Sequence, residues 1–142
     1  MITRYTLPEM GAVWSEETRF QLLARVEVAV VRARARRGLV PSADLAAIEA
    51  APPPRAARVH ELDAQLHHDV IAFLTAYGEG IGAAARHVHY GMTSSDLLDT
   101  ALALQLRRAC DLLAARLDRL VASLRERAVE HRDTLCLGRT HG

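Results

Sequence analysis

Apolar residues recur at steps of three and four along most of the chain, the period of an α-helix that buries one face. Phe20, Leu23, Val26 and Val30 form the first such stripe. Ser15 stands before it as an N-cap, and Glu16 and Glu17 place carboxylates where the positive end of a helix dipole favours them. The spacing predicts a helix running to Arg37, with Gly38 as its C-terminal stop. Pro41-Ser42 opens a short helix, Ala43 to Ala50, which Pro52-Pro53-Pro54 ends. Val59, Leu62, Leu66, Val70, Phe73, Leu74 and Tyr77 make one stripe of a third helical stretch that stops at Gly78-Glu79-Gly80. Residues 1–14, with Pro8 and Gly11, read as an extended arm.

After a glycine-punctuated loop with Gly82, His87, His89 and Gly91, the run Thr93-Ser94-Ser95-Asp96 caps the longest helix. Its stripe is Leu102, Leu106, Ala109, Leu113, Leu117, Leu120, Leu124 and Ala128. About 35 residues at 1.5 Å each give roughly 50 Å, and an average globular helix is about a third of that length. Such a helix has to bury its stripe against other long helices, from the same chain or from partners. The predicted fold class is therefore all-α. A helical domain over 1–95 leads into 96–142, the start of a central long-helix bundle. A terminus as rich in functional groups as Leu137-Gly138-Arg139-Thr140-His141-Gly142, straight after a long helix, reads as an interruption of that bundle. There is no internal repeat.

Composition sharpens this. The 142 residues hold 25 Ala and 20 Leu but only 4% aromatics, so an all-β fold is disfavoured. Basic residues number 18 against 17 acidic, a net +1, which lacks the clustered excess of a nucleic-acid or membrane-surface protein. Every basic residue is Arg, a composition bias. Cys110 and Cys136 fit neither a disulfide scaffold nor a CxxC metal site and read as free thiols of a reducing compartment. No signal peptide and no membrane span is apparent, so a cytoplasmic protein is expected.

Several clusters carry possible chemistry. His60-Glu61 begins like a zincin helix, but Ala64 stands where the second His belongs, and His87-x-His89 alone is a weak ligand pair, so no metal is expected. His68-Asp69 falls at a bend, where a carboxylate beside an imidazole fixes its tautomer. Thr93-Ser94-Ser95-Asp96 serves equally as a cap or as an anion site, since it joins hydroxyls to free N–H groups at a helix N-terminus. Gly138-Arg139-Thr140-His141-Gly142 concentrates a cation, a hydroxyl and an imidazole between glycines and favours a ligand-binding segment. Arg32, Arg34, Arg36 and Arg37 read as a solvated helix face.

Taken together and in order, Arg4-Tyr5, Trp14-Ser15, His67-His68-Asp69-Val70, His89-Tyr90-Gly91-Met92-Thr93-Ser94-Ser95-Asp96 and Gly138-Arg139-Thr140-His141-Gly142 resemble the adenylosuccinate lyase family of the fumarase/aspartase superfamily. The last two motifs are specific in combination. The resemblance implies a carbon–nitrogen lyase of purine biosynthesis. Such an enzyme β-eliminates fumarate from adenylosuccinate, giving AMP, and from the succinylated carboxamide ribotide. By that resemblance His141 is the general acid on the departing nitrogen, and His68, held by Asp69, assists it. Thr93 and Ser94 hold a succinyl carboxylate, Arg4 and Tyr5 bind the phosphate end of the nucleotide with His89 nearby, and His67 contributes to substrate contacts. It also implies a homotetramer whose active sites are shared between subunits, with no metal or organic cofactor, no nucleic acid and no membrane.

Two departures from the family stand out. The family's base is a Ser on a mobile glycine-rich loop far downstream, beyond this chain, so the chain reads as an N-terminal portion that is inactive alone. His67 replaces the Lys or Arg common among relatives. Two alternatives stay open: a sister lyase or cycloisomerase of the superfamily, and a non-catalytic helical oligomerisation module.

Overall fold

The computed structural model describes residues 2–141; Met1 and Gly142, the latter closing the Gly138-to-Gly142 run, lie outside the described residues. Among these residues every regular element is helical. A 3₁₀ turn, Thr3–Tyr5, precedes helices α1 (Pro8–Val13), α2 (Glu16–Ala35), α3 (Ser42–Ala50), α4 (Ala56–Leu66), α5 (Asp69–Ile81) and α6 (Ser94–Glu130). A second 3₁₀ stretch, Gly82–His87, joins α5 to the loop before α6.

The expected extended arm is in fact partly helical. Pro8 opens α1 at the position where a missing N–H costs nothing. Ser15 caps α2 as expected, its hydroxyl accepting from the Thr18 N–H at 3.2 Å. The third helical stretch is two helices, α4 and α5, because His67 turns left-handed (φ 52°, ψ 37°) and ends the first. One stripe nevertheless serves both: Val59, Leu62, Val70, Phe73 and Tyr77 are all buried. Gly78 and Gly80 do not end α5, which continues to Ile81. The region expected as a plain loop after it holds the 3₁₀ stretch.

Two compact units result, 1–108 and 109–142. They divide inside α6. The physical reason is packing, since Leu97 and Ala101 join the same core as Phe20, Leu23, Phe73 and Tyr77. Phe20, Phe73 and Tyr77 stack in series with centroids 5.9 and 5.8 Å apart. Gln105, buried, donates to the Val13 carbonyl at 2.8 Å and is satisfied. A smaller core of Val31, Val40, Ile48 and Ala84 seats α3 and the 3₁₀ stretch on α2. Arg58 clamps α4 to α5 with two bonds to Glu79 (3.0 and 2.6 Å) and one to Glu61 (2.9 Å). The hydrogen bonds from Arg58 hold the Glu79 carboxyl below the usual carboxylate range. This tie is therefore intact at neutral pH and is lost only as pH falls through that lowered value.

The leucine stripe of α6 does not face the core of the first unit. Leu102 and Leu106 are exposed (45% and 48%), while Leu97, Ala101 and Gln105 face the core. In the second unit Leu113, Leu117, Leu120 and Leu124 are also exposed. No helix among the described residues is long and apolar enough to cross a membrane. Leu97→Ala is expected to destabilise the chain by about 3 kcal/mol, and Leu102→Ala by less than about 0.5 kcal/mol. Urea unfolding of the two variants checks this, and equal losses would contradict the core assignment.

Candidate active site

The candidate residues form separate groups, and α2 carries two of them. At the junction of α4 and α5, His67 takes the left-handed turn, its N–H donating to the Asp63 carbonyl at 2.8 Å. His68 is the N-cap of α5, with Nδ1 accepting from the Ile71 N–H at 3.4 Å. A nitrogen that accepts carries no proton, so this cap puts the neutral ring's proton on Nε2. Asp69 does not provide that tether. Its Oδ1 accepts from the Val70 N–H at 2.8 Å and its Oδ2 from Arg19 of α2 at 3.0 Å. The bend is thus anchored to α2, and the tautomer of His68 is set by the helix it caps. Asp69, Arg19, Glu16 and His60 rim a cavity of about 130 Å³ that reaches Leu98 in the first turns of α6.

The second group is the segment 87–96. His89 takes a left-handed conformation (φ 58°), and Gly91 another (φ 76°), which a residue without a Cβ accepts freely. Both donors of His89 point at one residue. Its N–H meets Glu27 Oε2 at 2.7 Å and its ring Nδ1 meets Oε1 at 2.7 Å. Glu27 is completely buried, and nothing in the charge pattern alone singles it out. The signal was its position: it lies four residues after Leu23 and four before Val31, inside the apolar stripe of α2. Two turns of α2 further on, Arg34 donates to the His87 carbonyl at 3.0 Å and stands 4.2 Å over the Tyr90 ring. Arg34 therefore departs from the solvated face expected of the arginine cluster, because it is the grip on this segment. His87 and Arg86 both bond Asp44 of α3. Nearby, Tyr77 donates to the Ile48 carbonyl at 3.3 Å, and burial, then the Glu27 charge, pushes its phenol above the ordinary range.

Met92 N–H bonds the His89 carbonyl at 3.3 Å and delivers the chain to Thr93 and Ser94 at the start of α6. Asp96 accepts from the Thr93 N–H at 2.8 Å, so its carboxylate already takes one of the amide donors that this N-terminus offers an anion. Gly91, Met92 and Asp96 border a cleft of about 680 Å³ whose opposite wall is Arg25, Ala29 and Ala33 of α2. Arg4 and Tyr5 are exposed on the first 3₁₀ turn, the guanidinium 4.8 Å from the ring. His141 belongs to the second unit, where it is exposed and its carbonyl accepts from Arg139 at 3.1 Å. Cys110 and Cys136 are free and exposed. Among the described residues no group of three or more His, Cys, Asp or Glu side chains has the arrangement to hold a metal ion.

Residues 3–142 match the model of a lyase family, and the chain belongs to that family. It is 47% identical over 142 residues to the adenylosuccinate lyase of Synechocystis sp. and 41% identical to that of Bacillus subtilis, covering 33% of each. The chain thus spans about a third of the length of the curated relatives it matches. Among solved structures it resembles the 3-carboxy-cis,cis-muconate lactonizing enzyme of Pseudomonas putida (TM-score 0.89, 39% identity), with 97% of this chain and 33% of that one aligned. A fumarate lyase from Mesorhizobium sp. BNC1 gives a TM-score of 0.83 at 29% identity, over 93% of this chain and 32% of that one.

A non-glycine residue held left-handed is under conformational cost. His67→Gly is therefore expected to stabilise the chain by about 0.5 kcal/mol. A rise in Tm checks it, and a fall would mean that the His67 side chain makes contacts worth more than the strain.

Proposed function

We propose that the protein carrying this chain eliminates fumarate from adenylosuccinate, leaving AMP, and likewise from the succinylaminoimidazolecarboxamide ribotide of purine biosynthesis. The observation that carries this reading is the 47% identity over all 142 residues to a relative named adenylosuccinate lyase. In the reaction a base removes a proton from the succinyl Cβ, the Cα–Cβ double bond forms, the Cα–N bond breaks, and an acid returns a proton to the nitrogen. His141 is the acid in this reading, and His68, with Nε2–H outward, assists it. The hydroxyls and amides of Thr93 and Ser94 hold a succinyl carboxylate against the α6 N-terminus. Arg4, Tyr5 and His89 take the phosphate end, and His67 and Asp69 add substrate contacts. The base, a Ser on a glycine-rich loop in the family this chain resembles, is not among these residues.

The exposed leucines of α6 support assembly: Leu113, Leu117, Leu120 and Leu124 are each more than half exposed, a face that further helices of a homotetramer would cover. In that assembly, sites are shared between subunits, in the cytoplasm and without a metal or organic cofactor. The likeness to the lactonizing enzyme supports a second reading, a sister reaction on a different carboxylate substrate.

Fumarate release by the complete gene product, followed optically, tests the proposal. Release is expected, competed by AMP, and His141→Ala should lower it by about 10²–10⁴-fold. The 142-residue chain alone should release none. Activity that AMP does not compete would favour the sister reaction, and a variant at His141 with full activity would remove the acid assignment.

A further inference from the structure

Glu27 is the one carboxylate placed wholly inside the core among the described residues, and both its hydrogen bonds go to His89. A buried charge is stable only when its oxygens are satisfied, so the pair is strongly constrained. The backbone bond fixes the left-handed turn at residue 89, and the ring bond fixes its side-chain rotamer. A carboxylate only accepts, so the ring proton sits on Nδ1, and Nε2 is the one ring nitrogen left for a ligand. The ring side chain is 19% exposed, whereas Glu27 is not exposed at all. When the protonated ring donates from Nε2 to an anion, the carboxylate behind it offsets the positive charge. Glu27, Val31 and Arg34 occupy one face of α2 at steps of four and three, and Glu27 and Arg34 grip the segment 87–90 on either side of buried Val31.

We infer that Glu27 is a positioning residue, which acts through His89 to give the protein its preference for a phosphorylated over an unphosphorylated nucleoside. The inference rests on the reading of His89 as a phosphate contact given above. It makes no demand on the elimination step, so binding tests it apart from catalysis. A carboxylate held only to cap the loop would affect all ligands alike, whereas one that aims the His89 ring affects only those that reach it.

The experiment is calorimetric binding of AMP and of adenosine to the complete gene product, to Glu27→Gln, to His89→Gln and to the double variant. Glu27→Gln keeps the shape but exchanges one acceptor oxygen for an amide donor. Its ratio of AMP to adenosine affinity is expected to fall tenfold or more, with adenosine binding changed by less than twofold. The double variant is expected to lose no more than His89→Gln alone. Equal losses for both ligands, additive losses in the double variant, or a parent that binds AMP no more tightly than adenosine would each overturn the inference. Should Glu27→Gln fail to fold, Glu27→Asp, which keeps the charge and shortens the reach, carries the same comparison with the same criteria. Absence of fumarate release beside an intact AMP preference would count against the lyase reading and leave this one standing.

Discussion

A carboxylate without exposure to water has to find its hydrogen-bond donors inside the protein, and Glu27 takes both from one residue, His89. The turn that leads into α6 meets that demand. The turn at residue 89 is left-handed because that conformation aims the backbone N–H and the ring at the same carboxylate. Gly91 then reverses the chain, Met92 closes the turn, and α6 begins at Ser94 in a fixed direction. An apolar residue at position 27 would fill the space and leave the turn without its anchor.

α2 consequently acts as a mount. Arg19 near its first turns holds Asp69, Glu27 at its middle holds His89, and Arg34 near its end holds the His87 carbonyl and Tyr90. The first of these is a partly exposed ion pair, of the kind that contributes roughly 0–1 kcal/mol. The second is buried and has no substitute partner, so the two anchors differ sharply in what their loss would cost. The bend at His67 and His68 is held mainly by helix chemistry, with a left-handed C-terminus ending one helix and an imidazole capping the next.

Much of this was legible in the sequence, and the failures have physical causes. The helix set followed from the three-and-four spacing, and Ser15 and Gly38 marked real ends. Continuous periodicity ran α4 and α5 together, although His68-Asp69 read as a bend, because a single left-handed residue at His67 reorients the chain while Val70 and Phe73 still return to the same core as Val59 and Leu62. Gly78 and Gly80 looked like a stop, but α5 runs past them to Ile81. For α6, two faces satisfy the same spacing. The leucine-rich one drew the assignment, while the face of Leu97, Ala101 and Gln105 packs inward.

The candidate site residues differ in the same way in how visible they are. His68, His89, Thr93, Ser94 and His141 announce themselves by chemistry, since imidazoles and hydroxyls beside glycines are rarely needed for packing alone. Glu27 and Arg34 are hidden among the ordinary charges of a helix, and only their place on an apolar stripe betrays them. A polar residue on a buried stripe is a cost that folding must offset with a specific partner. Asking which distant residue holds a donor for it leads to the segment before α6. The buried acid and the partly exposed imidazole are therefore two ends of one device, and only the imidazole is visible without the fold.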